Sequence, residues 1–203
     1  MNGSELVAAR YVAVQKQAEE IVAGVSPDQM ELPTPCARWD VRHLINHLVG
    51  GSLRHAAKIN RQPLPQRSAP ADFTLGDLGA NAALAGAAAV ACWERPGALD
   101  ERHALPYATV TGHVAREVHL LEVLLHTWDL ATATGQTAKL DGALAEGYMP
   151  VAQRIIPDAI RQESGDPFGR VRRVPAGAGP YEILAAFAGR EVAGRPAPRG
   201  LQP

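Results

Sequence analysis

The 203-residue sequence has little of what defines several classes of protein. Its two cysteines, Cys36 and Cys92, are too few for a disulfide framework or a cysteine-based metal site, so we expect free thiols and a cytoplasmic location. The formal net charge is only −1, which gives no electrostatic footprint for nucleic acid or an anionic membrane. No run approaches the roughly 18 consecutive apolar residues of a membrane span. The N-terminus lacks the basic start and apolar run of a signal peptide. We therefore expect neither a nucleic-acid nor a membrane partner.

Proline is plentiful but absent from four stretches, and each absence marks where a helix can run. An interior proline costs a helix about 3 kcal/mol. The first three stretches each have room for one helix of about 20 residues, and the fourth holds such a helix and the start of another. Four long helices with short breaks predict an all-α, up-down four-helix bundle. The four stretches are Met1–Ser26, Cys36–Gln62, Ala71–Arg95 and Tyr107–Met149.

Capping residues agree with these helices. Asp40 is placed to cap the second helix, and Thr74 with Asp77 three residues on resembles the start of the third. Thr111 is a cap for the fourth helix, which Gly135 closes as a left-handed stop.

After the bundle, the sequence predicts a smaller helical extension. We expect the bundle to span residues 1–140, and residues 141–203 to form helices and a tail packed on it. The elements expected there are a fifth helix opened by Asp141 and either kinked or split near Pro150 and Pro157, an ordered loop over Ser164–Pro180 with a short strand at Phe168–Val174, and a last helix, Tyr181–Ala188, ending at Gly189.

The fourth helix carries an apolar arc and, opposite it, a narrower polar stripe. Glu122 and His126 are four residues apart in this stripe, so their side chains project side by side from consecutive turns. A carboxylate and an imidazole so placed can hold one divalent cation. An ordinary solvated helix face is the alternative, although no Lys or Arg lies between His119 and Thr134. The arc contains Leu120, Leu121, Leu124, Leu125 and Trp128, and the stripe contains His119, Glu122, His126 and Asp129.

The second helix repeats this pattern, with Leu44, Ile45, Leu48 and Val49 on its apolar side. His43 and His47 lie four residues apart on its other side. A facing histidine from this helix would complete a His/Glu/His site with open coordination positions, as in catalytic metal centres. Asp129, three residues after His126, is placed to hold the second nitrogen of that imidazole.

Four further residues have a structural interpretation. Trp39 and Trp128 each precede an aspartate and are interpreted as core tryptophans. Cys92 lies in an alanine-rich helix and is interpreted as core. Cys36 follows a proline in the loop before the second helix; it could be a nucleophile, but a small packed residue is favoured because no histidine has a diagnostic spacing.

Two segments together resemble the metal-binding domain family of mycothiol-dependent maleylpyruvate isomerases, which belongs to the DinB-like four-helix bundles. They are TPCARWDVRHLINHLVG (residues 34–50) and LEVLLHTWDLATATG (residues 121–135). The closing segments around Phe168 and Phe187 resemble the family's single-domain branch. The resemblance implies that His47, Glu122 and His126 bind a divalent metal, which is zinc in the isomerase, with His43 and His119 outside the ligand set. That isomerase has an additional C-terminal domain for which residues 141–203 are too short, so activity on maleylpyruvate itself does not follow.

The residues and the resemblance give one main functional hypothesis and two alternatives. The main one is a metal-dependent isomerase or S-transferase that uses mycothiol or a similar low-molecular-weight thiol on a small electrophilic substrate. A metal-dependent hydrolase and a non-catalytic metal-binding or ligand-sensing protein are the alternatives. The expected partners are a small-molecule substrate and the thiol, with a homodimer as the possible assembly.

Overall fold

The computed structural model describes residues 3–36, 39–63, 71–105, 108–162 and 168–192. Within these ranges, seven α-helices and one two-stranded sheet are formed, so the all-α prediction is confirmed. The chain divides into two units, Met1–Leu144 and Ala145–Pro203. The predicted division after residue 140, and the packing of the extension on the bundle, stay predictions. The first unit contains α1 (Gly3–Ala23), α2 (Val41–Ile59), α3 (Leu78–Ala91), β1 (Arg102–Ala104), β2 (Thr109–Thr111) and α4 (Gly112–Ala133), and α5 (Gly142–Ala145) ends at its boundary.

The four long helices form a bundle in which the first two helices of the chain are not neighbours. Helix α1 packs mainly against α3 and α4, and α2 packs mainly against the same two helices. Helices α1 and α2 therefore lie across a diagonal of the bundle. The contact that matters for the candidate site is the one between α2 and α4.

Helix α4 is enclosed by its neighbours. The leucines of its predicted apolar arc and Trp128 are buried, as expected, and so is the apolar side of α2. The predicted polar stripe differs from an exposed face, because His119, His126 and Asp129 are buried as well. The reason is that α4 packs against both α1 and α2, so two of its sides face protein. Glu122 is the member of the stripe that keeps a 43% exposed side chain.

The predicted helix boundaries hold with two changes. The Asp40 side chain accepts a hydrogen bond from His43 N at 2.8 Å and caps α2, and Gly135 follows α4 at φ 72°. Helix α3 begins later than expected, because Asp77 is its cap and accepts from Ala80 N. Thr111 precedes α4 without a capping hydrogen bond from its side chain.

A small β-hairpin precedes α4 and was not predicted. Strands β1 and β2 pair antiparallel, with Arg102 opposite Thr111, between the predicted third and fourth helices, where no strand was expected. Glu101, just before β1, accepts hydrogen bonds from Arg95 at 2.7 and 2.8 Å. Gly112 starts α4 against the backbone of Ala98, where a Cβ atom would collide with the carbonyl oxygen. Glycine at this position therefore lets the hairpin lead directly into the helix.

The second unit contains α6 (Met149–Ile155) and α7 (Pro180–Phe187). Of the two forms predicted for the fifth helix, the split one is observed, since α5 and α6 are separate, and the last helix is confirmed, with Gly189 following it at φ 98°. The predicted strand at Phe168–Val174 is wrong. Backbone N–H groups there donate to the end of α7, Gly169 N to Ala188 O and Arg172 N to Ala186 O, so no partner strand is needed. Residues 163–167 of the predicted loop and the tail from residue 193 lie outside the described residues.

Three-residue 3₁₀ turns occur in both units, at Pro27–Gln29, Thr137–Lys139 and Asp158–Ile160.

Candidate metal centre

The three predicted metal ligands meet at the contact between α2 and α4. His47 from α2 and Glu122 and His126 from α4 each offer a ligand atom, and these atoms all lie within 4.8 Å of one another. Nε2 of His47 is 2.9 Å from Oε1 of Glu122. The imidazole rings of His47 and His126 are edge to face, with centroids 4.8 Å apart. The helices thus bring to one point the side chains that lie 75 residues apart in sequence.

The donor set fits a divalent ion such as zinc. Two imidazoles and one carboxylate are ligands of catalytic zinc sites, at about 2.0–2.2 Å from the metal. Ligands of a tetrahedral ion at these bond lengths lie about 3.3 Å from one another. The present 2.9 Å between His47 and Glu122 is a hydrogen-bond distance, so an ion replacing the shared proton would separate these two atoms only by a few tenths of an ångström.

The electrostatics of the centre favour a charged carboxylate. Partial removal from water raises the pKa of Glu122, but the hydrogen bond with His47 and the charges that His119 and His126 carry when protonated lower it to about 2. Glu122 is therefore ionised at neutral pH and is ready to act as an anionic ligand. Metal ligation by histidine likewise requires a neutral ring nitrogen.

Asp129 contacts one of the candidate ligands, His126. Its Oδ2 atom lies 3.1 Å from Nδ1 of His126, and the residue is completely buried. The sequence predicted this contact from the three-residue spacing. A carboxylate on Nδ1 fixes the orientation of the imidazole and makes Nε2 the natural nitrogen for an ion held with His47 and Glu122.

The other two histidines of the sequence patterns lie outside this group. His43 is exposed, with Nδ1 2.8 Å from the capping carboxylate of Asp40. His119 is buried one turn below Glu122, where its Nδ1 lies 2.6 Å from the Tyr11 hydroxyl and its Nε2 lies 3.4 Å from that of Ser52. Burial lowers the pKa of His119 to about 4 even though the Glu122 charge opposes the shift, so this ring is neutral.

Two residues of the loop before α2 belong to the site and were not predicted to. The Trp39 ring lies 4.3 Å from the His47 ring and 5.4 Å from the His126 ring, so it contacts both imidazoles instead of filling the core. Cys36 lies beside His126 and Asp129. No local spacing could reveal either contact, because both depend on how the loop folds back onto α4. Trp128 and Cys92 are buried in the core, as the sequence indicated.

A small crevice, with room for about one water molecule, adjoins the three predicted ligands. Gly51 and Ser52 of α2 and His119 of α4 form part of its wall. Pockets that enclose a small-molecule ligand are far larger, about 300–1,000 Å³. The crevice can therefore hold an ion or a water molecule, and any substrate would lie mostly outside it.

Comparison with known proteins agrees with this architecture. Residues 12–131 match the family model described as the mycothiol maleylpyruvate isomerase N-terminal domain. The chain belongs to this family. The match begins within α1 and ends near the end of α4, so it covers the bundle and all three candidate ligands.

Individual relatives extend the likeness. Two uncharacterised proteins, from two strains of Mycobacterium tuberculosis, are each 36% identical to the chain over 174 residues, covering 85% of it and 91% of their own length. The crystal structure of a DinB-like protein of Bacillus subtilis matches with a TM-score of 0.51 and 16% identity, over 67% of this chain and 94% of that one. This likeness confirms the DinB-like fold. Within the described residues, no helix is both long and apolar enough to cross a membrane.

Proposed function

We propose that this chain is a metal-dependent enzyme that uses a low-molecular-weight thiol of the mycothiol type. Its reaction would be isomerisation or S-transfer on a small electrophilic substrate, and its centre would be His47, Glu122 and His126. The observation that carries the proposal is the convergence of these three donors, in a family whose description names both mycothiol and an isomerase. The donor set makes zinc the first candidate for the ion. We propose a cytoplasmic location, where small thiols are kept reduced.

Each residue has a distinct role in this proposal. His47, Glu122 and His126 would hold the ion beside the crevice. Asp129 orients His126, and Trp39 packs against both imidazoles and shields them from water. A divalent ion in such a site acts as a Lewis acid and lowers the pKa of a thiol that binds it.

In the proposed chemistry, the thiol first loses its proton to solvent, and the thiolate sulfur then adds to a conjugated carbon–carbon double bond. The electrons of that bond move to the conjugated carbonyl group, and the former double bond becomes free to rotate. In an isomerase, the electrons return to re-form the double bond, the carbon–sulfur bond breaks and the thiolate leaves. In an S-transferase, the adduct takes up a proton and is released as a thioether. Because the crevice has room for only about one water molecule, the thiol and the substrate would meet at its mouth and lie mostly outside it.

Thiol binding and turnover test the proposal. Mycothiol should raise the melting temperature of the zinc-loaded protein, because a ligand at 100 times its Kd adds about 2.7 kcal/mol to the free energy of unfolding. The metal-free protein and His126→Ala should show no such shift. Mass spectrometry with mycothiol and a conjugated cis-dienoic or maleyl-type acid should then detect a thioether or the trans isomer.

Other outcomes would favour the alternatives. Hydrolysis of an ester or amide by the zinc-loaded protein, without thiol dependence, would indicate the hydrolase. Zinc binding without any shift from thiols or electrophiles would indicate a non-catalytic metal-binding protein. Either result would contradict the proposed thiol enzyme.

A further inference from the structure

A second group of three ligand-type side chains lies beside the candidate centre. A sulfur from Cys36, a ring nitrogen from His126 and a carboxylate oxygen from Asp129 all lie within 4.8 Å of one another. His126 is the member shared with the first group. Asp129 Oδ2 lies 3.1 Å from Nδ1 of the His126 ring, so an ion held by Asp129 would meet the imidazole at this nitrogen.

The loop before α2 holds Cys36 in place. Cys36 N donates a hydrogen bond to Thr34 Oγ1 at 3.2 Å, and Cys36 O accepts one from Trp39 N at 2.8 Å. A β-bridge between Pro33 and Asp40 closes the base of the same loop. These contacts fix the backbone of Cys36, whose sulfur lies beside His126 and Asp129 of α4.

The three donors differ in exposure and in chemical softness. Asp129 is completely buried and His126 is 8% exposed, whereas Cys36 is only half-buried, so an ion would enter from the sulfur side. Thiolate is a soft ligand and favours soft ions, while the His47/Glu122/His126 group contains only nitrogen and oxygen donors.

We propose that Cys36, His126 and Asp129 form a second metal position, which takes a soft divalent cation such as Cd²⁺. This proposal goes beyond the proposed function and does not depend on it. The two positions compete, because a neutral imidazole has a single nitrogen lone pair to give to a metal. An ion at the Cys36 position takes that lone pair at Nδ1 and leaves the proton on Nε2, which weakens zinc binding by His47 and Glu122.

Cadmium titration of the metal-free full chain tests this position. The wild type should develop the ultraviolet absorption of a cadmium–thiolate bond, and both Cys36→Ser and Cys36→Ala should lose it. Cys92→Ala, which removes the buried core cysteine, should keep the absorption. His47→Ala should also keep it, because His47 is not part of this group, and loading the wild type with zinc beforehand should weaken cadmium binding.

The controls separate this inference from the proposed function. Circular dichroism should show that the Cys36 variants are folded, and each should still bind one equivalent of zinc. Absence of the thiolate absorption in the wild type, or its persistence without Cys36, would overturn the second position. Loss of the absorption in His47→Ala would also overturn it, since Cys36 would then be a ligand in the first centre. Failure of the wild type to bind zinc would contradict the proposed function instead.

Discussion

Two pairs of histidines link α2 and α4, and they occupy very different surroundings. The outer pair, His47 and His126, meets the Glu122 carboxylate next to a crevice. The inner pair, His55 and His119, lies about two helical turns away from the outer pair along α2 and α4. Its rings are stacked 4.0 Å apart and nearly parallel. Among the described residues, the inner pair joins no three-donor group, and His119 is bound instead to Tyr11 and Ser52. His119 also lines the crevice, so the opening does not separate the two pairs. The difference is that the outer pair shares a carboxylate that can hold an ion with it, whereas the His119 ring is hydrogen-bonded to hydroxyl groups.

The largest expected effect is a loss of zinc affinity when a histidine of the outer pair, but not of the inner pair, is replaced. His126→Ala should lower zinc affinity by more than about 100-fold, since even loss of a supporting residue costs about 10–100-fold. His119→Ala should still bind one equivalent of zinc, although it should unfold more easily. Elemental analysis after dialysis, with isothermal titration, measures both. If both variants lost zinc binding equally, the conclusion that only the outer pair binds zinc would be wrong.

A smaller effect is expected from Asp129→Asn. An asparagine can keep the hydrogen bond to His126 but lacks the negative charge that strengthens the imidazole as a ligand, so zinc affinity should fall by about 10–100-fold. The same titration measures it, with Asp40→Asn, at the exposed His43 contact, as the control. Unchanged zinc affinity in Asp129→Asn would show that Asp129 does not support the centre.

Part of the fold and part of the candidate site could be predicted from the sequence. Proline-free stretches and capping residues located the bundle helices because such effects are local, and the spacing of Glu122 and His126 on one helix identified a ligand pair. Selecting His47 over His43 needed the family resemblance, because both lie on the polar side of α2. The roles of Trp39 and Cys36 depend on a loop folding back onto α4, and burial of the polar stripe depends on two neighbouring helices. Neither has a local sequence signal.

The inner pair should be sensitive to the removal of one hydroxyl group. Tyr11→Phe leaves Nδ1 of His119 buried without its 2.6 Å partner, so the free energy of unfolding should fall by about 1–3 kcal/mol. Zinc affinity should stay within twofold of the wild type. Urea denaturation and zinc titration measure the two quantities. A large loss of zinc affinity would mean that the two pairs are not independent.

The smallest expected effect is a change in how the free energy of unfolding depends on pH. Burial lowers the pKa of His119 to about 4 and lowers that of His55 well below its usual value, so both are neutral in the folded protein near pH 6. The unfolded chain begins to bind these protons at about pH 6.5. Their contribution to stability is therefore complete above that pH and decreases as the pH falls towards 4, by up to about 1.4 kcal/mol per pH unit for each histidine.

His119→Gln isolates one of these two contributions. In metal-free protein, urea denaturation between pH 7 and 4 should give a shallower decline for this variant than for the wild type. His43→Gln, at the exposed histidine, is the matched control and should follow the wild type. Parallel curves for the wild type and His119→Gln would show that His119 does not resist protonation in the fold.

We propose that His47, Glu122 and His126 hold one divalent ion between α2 and α4. A crystal of the zinc-loaded protein, measured on both sides of the zinc absorption edge, tests this proposal most directly. We expect an anomalous peak about 2.0–2.2 Å from His47 Nε2, a Glu122 carboxylate oxygen and His126 Nε2. A fully loaded crystal with no peak at these three side chains, or with its peak elsewhere on the chain, would contradict it.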